Sequence, residues 1–182
     1  MKAYYELKLC GLTRKLPKVQ VAPGLSIASF VMLGDTELVE KCADALVENL
    51  KAAGPIDYIV TPEAKGIPLA HALAVRLGID YVVVRKSVKA YMEEPLVCEV
   101  KSITTEQAQK LVLDGVDVKK LAGKKVCVVD DVVSTGGSLR ALETLLSKTE
   151  CTIAARAAAL LEEGGRSGEG LFYIDILPIF KD

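Results

Sequence analysis

The stretch VCVVDDVVSTGGS, residues 126–138, joins an apolar run to two carboxylates and then to a small, hydroxyl-rich turn. Valine and cysteine dominate its first half, which is typical of a buried β-strand. The following segment, SLRALETLLSK (138–148), has the apolar spacing of a helix. In an open α/β sheet, ligands bind beyond the carboxyl ends of the strands. The stretch therefore predicts a strand that ends at Asp130 and Asp131, followed by a binding turn.

The turn itself has the chemistry of an anion site. It is built from five small residues, namely Ser134, Thr135, Gly136, Gly137 and Ser138. Glycines let backbone N–H groups close around an oxyanion, and the helix N-terminus adds partial positive charge. One phosphate group suits such a turn, while the two upstream carboxylates can bind sugar hydroxyls and attract Mg²⁺. On the turn alone, an ordinary strand–turn–helix with a good cap remains the alternative.

Most of the chain alternates between strand-like and helix-like segments. Strands are predicted at 57–61, 80–84, 124–130 and 152–161, and helices at 67–78, at 138–148 and from Asp35 or Thr36 to Gly54. This order predicts an α/β fold with a doubly wound, mostly parallel sheet flanked by helices.

Two segments interrupt this alternation within what we expect to be one structural domain. Residues 1–33 contain short strand-like pieces and predict a small N-terminal hood, while 34–182 form the core. Residues 85–105 predict a projecting hairpin, the lid, because connections this long in compact domains are usually functional or disordered. The glycine-rich run 162–170 predicts a flexible hairpin.

Bulk composition narrows the classes of function. The chain has 182 residues and a net charge of −1, so it offers no electrostatic footprint for nucleic acid. No apolar stretch approaches the ~20 residues that a membrane span requires, and the N-terminus lacks the features of a secretory signal. Its five cysteines are scattered, without a CxxC pair, and predict reduced thiols. A cytoplasmic protein with no membrane or nucleic-acid partner is expected.

The complete 126–138 string resembles the phosphoribosyl-pyrophosphate (PRPP) signature of the type I phosphoribosyltransferases. The shared pattern is four apolar residues, two acids, two apolar residues and a small residue before Thr-Gly-Gly-Ser. The adenine phosphoribosyltransferase branch is the most similar. The resemblance implies the family fold, transfer of ribose 5-phosphate from PRPP to a purine, an Mg²⁺ cofactor and a homodimer. It also implies that Asp130 and Asp131 grip the ribose and its hydrated metal, while the turn holds the 5′-phosphate.

Two further segments extend the resemblance. TPEAKGIPLA (61–70) is similar to the family's pyrophosphate loop, which assigns pyrophosphate binding to Glu63, Ala64, Lys65 and Gly66. The resemblance implies an unusual peptide near Glu63 and Ala64, for which the cis form is a candidate. VVRKSVK (83–89) is similar to the segment at the root of the family's lid, so that the leaving pyrophosphate would be neutralised by Arg85, Lys86 and Lys89.

The base pocket departs from the family pattern. The family's Phe-Arg-Asp segment aligns with Ile27, Ala28 and Ser29, and Thr104 stands where adenine-specific members carry a lid glutamate, with Glu106 two residues later.

Several readings of the function therefore stay open. Ser134 stands where many 6-oxopurine enzymes place an acid, which favours adenine. A different base such as xanthine or guanine, or a non-catalytic PRPP or purine sensor, is the alternative. The only histidine, His71, lies in an apolar helix and is interpreted as a packing residue.

Overall fold

The computed structural model describes residues 3–101, 108–165 and 170–181. Its strands are β1 (Tyr4–Leu9), β2 (Leu12–Ala22), β3 (Leu25–Ala28), β4 (Tyr58–Pro62), β5 (Asp80–Val84), β6 (Leu96–Lys101), β7 (Ala108–Leu113), β8 (Lys125–Val133), β9 (Thr152–Glu162), β10 (Leu171–Leu177) and β11 (Ile179–Lys181). Its helices are α1 (Thr36–Ala52), α2 (Ile67–Leu77), α3 (Gly115–Leu121) and α4 (Gly137–Leu146).

A five-stranded sheet in the order β10-β9-β8-β4-β5 forms the centre of the molecule. All of its neighbouring strands are parallel, which confirms the predicted fold class. Strand β8 runs to Val133 rather than ending at 130, because Val132 and Val133 continue the ladder opposite Leu160 and Leu161. The two acids therefore lie within the strand and not beyond it.

The predicted hairpin across 162–170 is wrong. Strand β10 pairs with β9 in parallel, with Leu171 opposite Arg156 and Leu177 opposite Glu162. This direction lets Phe172 and Ile174 pack on the core cluster that includes α1. It also brings Leu177 to the carboxyl end of the sheet.

Helices cover both faces of the sheet. On one face α1 buries residues at a four-residue spacing, including Leu38, Cys42, Leu46 and Leu50, together with the apolar side of α2. On the other face α4 packs its buried leucines against the sheet and the β6–β7 pair. The carboxyl edge is left open between these layers.

The second sheet has the order β1-β2-β3-β11 and is called the hood sheet below. Its first three strands come from the N-terminus, whereas β11 comes from the C-terminus and pairs antiparallel with β3. Arg14 ties this sheet to the core, since its Nε lies 2.6 Å from Asp35 Oδ2 and its Nη2 lies 2.8 Å from Glu37 Oε2. Asp35 also caps α1 by accepting a hydrogen bond from Leu38 N.

Strands β6 and β7 form an antiparallel pair within the segment that joins β5 to β8. Cys98, Leu111 and Leu113 from this pair lie in the same buried cluster as Leu142 of α4. The short helix α3 follows and was not predicted, because it has only seven residues and little apolar periodicity. Asp114 caps it by accepting a hydrogen bond from Val116 N.

The structure can be compared with the predictions for membrane spans and for the cysteines. Among the described residues, no helix has both the length and the apolar content to cross a membrane. All five cysteines, which the structure describes, are free, as predicted.

Candidate active site

The acid pair, Asp130 and Asp131, lies where two central strands part. Strand β4 pairs with β8 only as far as Val60 and Val128, whereas β9 stays paired with β8 to Val133. A groove therefore opens beside the acid pair on the β4 side. The strand around the acid pair is buried on both faces, since Val128 lies in the cluster with α4 and Val129 lies in the cluster with α1 and α2.

The two carboxyl groups have different surroundings. Asp131 is 6% exposed, and its Oδ2 has no hydrogen-bond partner among the described residues. Asp130 is half-buried, and its Oδ1 accepts a hydrogen bond from Asp131 N at 2.8 Å. Burial and the negative charge of Asp131 raise the pKa of Asp130 to about 8, while the Lys65 cation opposes this shift. A cation or several hydroxyl donors would relieve the repulsion between the two groups.

The turn after β8, here called the phosphate turn, consists of residues 134–138. Gly136 has a φ of +74°, a left-handed conformation that glycine adopts without strain, and it precedes the first residue of α4. No side chain caps α4. The N–H groups of its first turn are thus left for a ligand, as is usual where helix N-termini bind anions.

The pyrophosphate loop, residues 63–66, follows β4. The peptide between Glu63 and Ala64 is cis, the geometry that the resemblance raised. Glu63 Oε2 accepts a hydrogen bond from Lys86 N at 3.1 Å and lies 3.5 Å from Arg85 Nε. The Lys86 hydrogen bond, with help from the nearby cations, lowers the pKa of Glu63. Glu63 therefore joins the loop to the segment after β5.

Gly66 brings the pyrophosphate loop against the acid pair. A Cβ atom at Gly66 would lie 2.6 Å from Thr61 Oγ1 and 3.1 Å from the Asp130 Cα. The first distance is shorter than real Cβ contacts and the second is tighter than most, so a side chain at this position would force Thr61 or the strand to shift. Thr61 is fully buried, and its Oγ1 has no hydrogen-bond partner among the residues described.

These elements border one cavity of about 580 Å³ at the carboxyl edge of the sheet. Its polar wall contains, among the predicted site residues, Glu63, Ala64, Lys65, Lys86, Asp130, Asp131, Ser134 and Ser138. A second, mostly apolar set of lining residues, here called the apolar wall, comes from β3, the two residues after it and the end of β10: Ile27, Ala28, Ser29, Phe30 and Leu177. The acid pair thus faces a space large enough for a sugar phosphate together with a planar base.

Several predicted site residues do not line this cavity. They are Gly66, Arg85, Lys89, Thr135, Gly136 and Gly137. The Arg85 backbone forms a bridge with Val112, which joins it to β7, and Lys89 Nζ donates to Ser87 Oγ at 2.8 Å. Thr104 and Glu106 lie outside the described residues. His71 is exposed and contacts the Tyr81 ring edge-on.

Comparison with known proteins decides the family. The profile of the phosphoribosyl transferase domain matches residues 32–177. The chain belongs to the phosphoribosyltransferase family.

Curated phosphoribosyltransferases of two kinds are similar to the chain. The adenine phosphoribosyltransferase of Desulfitobacterium hafniense is 33% identical over 150 residues, which cover 80% of this chain and 81% of the relative. The hypoxanthine/guanine phosphoribosyltransferase of Methanothermus fervidus is 34% identical over 134 residues, which cover 74% of this chain and 66% of the relative. These two relatives belong to the same family but are named for different purine bases.

A solved structure supports the fold. The adenine phosphoribosyltransferase of Thermoanaerobacter pseudethanolicus has a TM-score of 0.74 at 22% identity, and the match covers 89% of this chain and 95% of the other. At this identity the likeness shows the phosphoribosyltransferase fold alone.

Beyond Pro62 and Val132, which stand in the quoted motifs, sequence reasoning missed five residues that line this phosphoribosyltransferase cavity: Phe30, Lys110, Leu111, Glu162 and Leu177. Each comes from an element outside the quoted motifs. Lys110 lies on β7, and Glu162 ends β9. A signal existed for Glu162, because an acid after the apolar run 157–161 lies at the carboxyl edge of a parallel strand.

Proposed function

We propose that the protein transfers the 5-phosphoribosyl group of PRPP to a purine base and that adenine is the preferred base. The observation that carries this proposal is the convergence of the acid pair, the uncapped α4 N-terminus and the pyrophosphate loop on one cavity. In the reaction the bond from ribose C1 to the pyrophosphate oxygen breaks, and a bond from C1 to a purine nitrogen forms. The purine nitrogen loses its proton, and pyrophosphate leaves.

The phosphate turn is proposed to hold the 5′-phosphate. Ser134 and Ser138 face the cavity, so their hydroxyl groups can donate to phosphate oxygens. The first N–H groups of α4 add donors and the positive end of the helix dipole. Anchoring the phosphate at this point fixes the ribose between the acid pair and the hood sheet.

The acid pair is proposed to hold the ribose hydroxyls and an Mg²⁺ ion. The Oδ2 of Asp131 is buried and has no described hydrogen-bond partner, and the pKa of Asp130 is raised. Both observations suit a pair of carboxyl groups that binds a cation or a hydrogen-bond donor. The described residues contain no cluster of three or more metal-binding side chains. Two carboxylates plus substrate oxygens are a common environment for Mg²⁺ in proteins. When bound, the ion would neutralise charge on the pyrophosphate oxygens.

Lysines are proposed to stabilise the leaving group. Lys65 and Lys86 line the cavity on the side of the pyrophosphate loop, and Lys110 lines the same cavity. Negative charge grows on the departing pyrophosphate as the C1–O bond breaks, so preorganised cations lower the barrier. Arg85 and Lys89, at the root of the lid, are proposed to neutralise the leaving group as well. The lid itself would exclude water and limit hydrolysis of PRPP.

The base is proposed to lie against the apolar wall formed by Ile27, Ala28 and Phe30. Adenine is preferred in this proposal because Ser134 occupies the position that many 6-oxopurine enzymes give to an acid. An adenine phosphoribosyltransferase is also among the similar proteins. The homodimer remains a prediction from the resemblance, which sedimentation equilibrium would test.

A pyrophosphate-release assay tests the proposal. The protein is incubated with PRPP and Mg²⁺ and with adenine, hypoxanthine, guanine or xanthine in turn. We expect pyrophosphate and a nucleoside monophosphate, with the highest kcat/KM for adenine. Tight PRPP binding without product from any base would overturn transfer and favour the sensor alternative.

A further inference from the structure

Glu162 is an acid in the cavity for which the proposed reaction has no role so far. It lines the same cavity as the acid pair and the hood-sheet residues. It is the last residue of β9 and pairs with Leu177, which also lines the cavity. Because β9 lies between β8 and β10, Glu162 stands between the strand of the acid pair and Leu177.

The backbone holds Glu162 rigidly beside the phosphate turn. Leu161 pairs with Val133, so Glu162 follows directly at the level of Ser134. Gly165 seals this corner, because a Cβ there would lie 2.6 Å from Glu162 O and 2.7 Å from Ser134 O. Gly165 N also donates to Glu162 O at 2.8 Å. A side chain at this corner is therefore close to a sugar whose phosphate binds in the turn, and it can contact the base joined to that sugar.

The Glu162 carboxyl group lacks the hydrogen-bond partners that Glu63 and Asp130 have in the same cavity. Glu63 accepts from Lys86 N, and Asp130 accepts from Asp131 N. No described residue hydrogen-bonds to the Glu162 carboxyl or forms an ion pair with it, and burial alone raises its pKa. A half-buried acid without a partner inside a ligand cavity is an acceptor that a ligand donor would satisfy.

Purine bases offer such donors. Adenine presents the N6 amino group, guanine presents N1–H and the N2 amino group, and hypoxanthine presents N1–H. Resting on the proposed function, we propose that Glu162 recognises the base by accepting a hydrogen bond from an N–H on the edge of the purine. The apolar wall of Ile27 and Phe30 would cover the ring while Glu162 reads its edge. This contact would contribute to specificity, and the lid residues need not supply it.

Two substitutions separate the parts of this contact. Glu162→Met keeps the length of the side chain and removes both oxygens, whereas Glu162→Gln keeps one acceptor oxygen and adds a donor. The matched control is Glu163→Gln, because Glu163 is exposed, lies outside the cavity and accepts from Ile179 N at 3.2 Å, a bond that a glutamine oxygen can keep. Thermal unfolding of each variant shows whether it folds.

Steady-state kinetics of the whole chain with PRPP, Mg²⁺ and each of adenine, hypoxanthine and guanine form the test. We expect Glu162→Met to lower kcat/KM for the accepted base about 10-fold to 100-fold, with the KM for PRPP unchanged. Glu162→Gln should retain more activity than the methionine variant, and Glu163→Gln should match the wild type. The base whose kcat/KM falls most identifies the edge that Glu162 reads.

The two proposals fail in different ways. If the wild type releases pyrophosphate but folded Glu162→Met and Glu162→Gln keep its KM and kcat for every base, this inference is overturned and transfer stands. An equal rise in the KM for PRPP and for the base would also overturn it, since a base contact should not alter PRPP binding. If the wild type forms product with no base, the proposed function falls and this inference falls with it.

Discussion

Asp130 and Asp131 are adjacent carboxyl groups in a buried strand, an arrangement that lowers stability. The Asp131 carboxyl is buried, and the pKa of Asp130 is raised to about 8 by burial and by its neighbour. In the unfolded chain the same carboxyl ionises at a pH of about 4. Between these two values the folded state binds more protons than the unfolded state. The free energy of unfolding therefore falls as the pH rises through this range.

Asp130→Asn should stabilise the protein at neutral pH. Asparagine keeps an acceptor for Asp131 N and does not titrate, so it removes the unfavourable charge. We expect the free energy of unfolding to rise by at least about 1 kcal/mol at pH 7, given that one pKa unit corresponds to about 1.4 kcal/mol. The gain should be small at pH 5 and grow towards pH 8. Denaturant titrations in the presence of a chelator measure it.

Asp175→Asn is the matched control for this prediction. Asp175 is exposed, and it accepts the same type of bond from its neighbour, Ile176 N, at 2.8 Å. The substitution should leave the pH dependence of the wild type in place. Equal stability of Asp130→Asn and the wild type at every pH would show that the acid pair carries no electrostatic strain.

Gly66 supports a second prediction at the scale of one residue. Gly66→Ala places a methyl group against Thr61 Oγ1 and the Asp130 backbone, both of which are held by the strands. We expect the free energy of unfolding to fall by about 1–3 kcal/mol and PRPP affinity to fall with it. Calorimetric titration with PRPP and denaturant unfolding measure the two effects. Unchanged PRPP affinity in the alanine variant would contradict the proposed closeness of loop and acid pair.

Predicted site residues that line the cavity stand close together within short motifs. Asp130, Asp131 and Ser134, for example, lie within five consecutive residues, and all three line the cavity. Glu162 and Lys110 line the same cavity from strands far away in sequence. Whether they line the cavity depends on strand register and sheet order, and no local pattern of residues determines these.

At the scale of the element, the N-terminus of α4 is the feature that binds the phosphate in this account. Two neighbouring glycines differ in what they do there. Gly136 has a φ of +74°, whereas a Cβ at Gly137 would meet nothing closer than Thr135 Oγ1 at 3.6 Å. Only Gly136 is required by backbone conformation.

Gly136→Ala and Gly137→Ala should therefore differ. The first forces an L-residue into the left-handed region, which costs about 1–2 kcal/mol, and it disturbs the N–H groups that face the phosphate. The second should be close to neutral in stability and in affinity for ribose 5-phosphate. Calorimetric titration with ribose 5-phosphate compares them. Equal affinity of the two variants would contradict the proposed role of the turn.

The two errors at the element scale have different physical causes. Parallel pairing of β10 depends on how Phe172 and Ile174 pack on the core cluster, a tertiary effect that overrides the glycine-rich turn signal before them. Helix α3 is short and owes its start to the Asp114 cap. Long periodic elements such as α1 were predicted within a few residues of their observed ends.

At the scale of the molecule, the two ends of the chain meet to form one wall of the site. Strand β11 completes the hood sheet beside β3, and Arg14 links that sheet to Asp35 and Glu37 at the start of α1. The pKa of Asp35 is lowered chiefly by its hydrogen bond from Arg14. The position of the apolar wall over the cavity thus depends on a contact outside the site.

Arg14→Ala should loosen this wall. We expect the free energy of unfolding to fall by about 1 kcal/mol or less, because the ion pairs are partly exposed, and the KM for the base to rise more than the KM for PRPP. Arg76→Ala is the matched control, since Arg76 makes similar bonds to Glu40 and Asp44 between α2 and α1, outside the cavity. If the KM for the base is unchanged in Arg14→Ala, or rises equally in Arg76→Ala, then the Arg14 contacts do not determine the position of the apolar wall.

The proposed role of the acid pair in holding ribose and Mg²⁺ can be measured by calorimetric titration of PRPP, with Mg²⁺ or with a chelator, into the wild type and the Asp130→Asn, Asp131→Asn double variant. We expect Mg²⁺-dependent binding to the wild type and a loss of affinity of about 100-fold in the folded double variant, since charged hydrogen bonds and the metal site are both removed. If the folded double variant binds PRPP with the affinity and Mg²⁺ dependence of the wild type, the acid pair holds neither the ribose nor the metal.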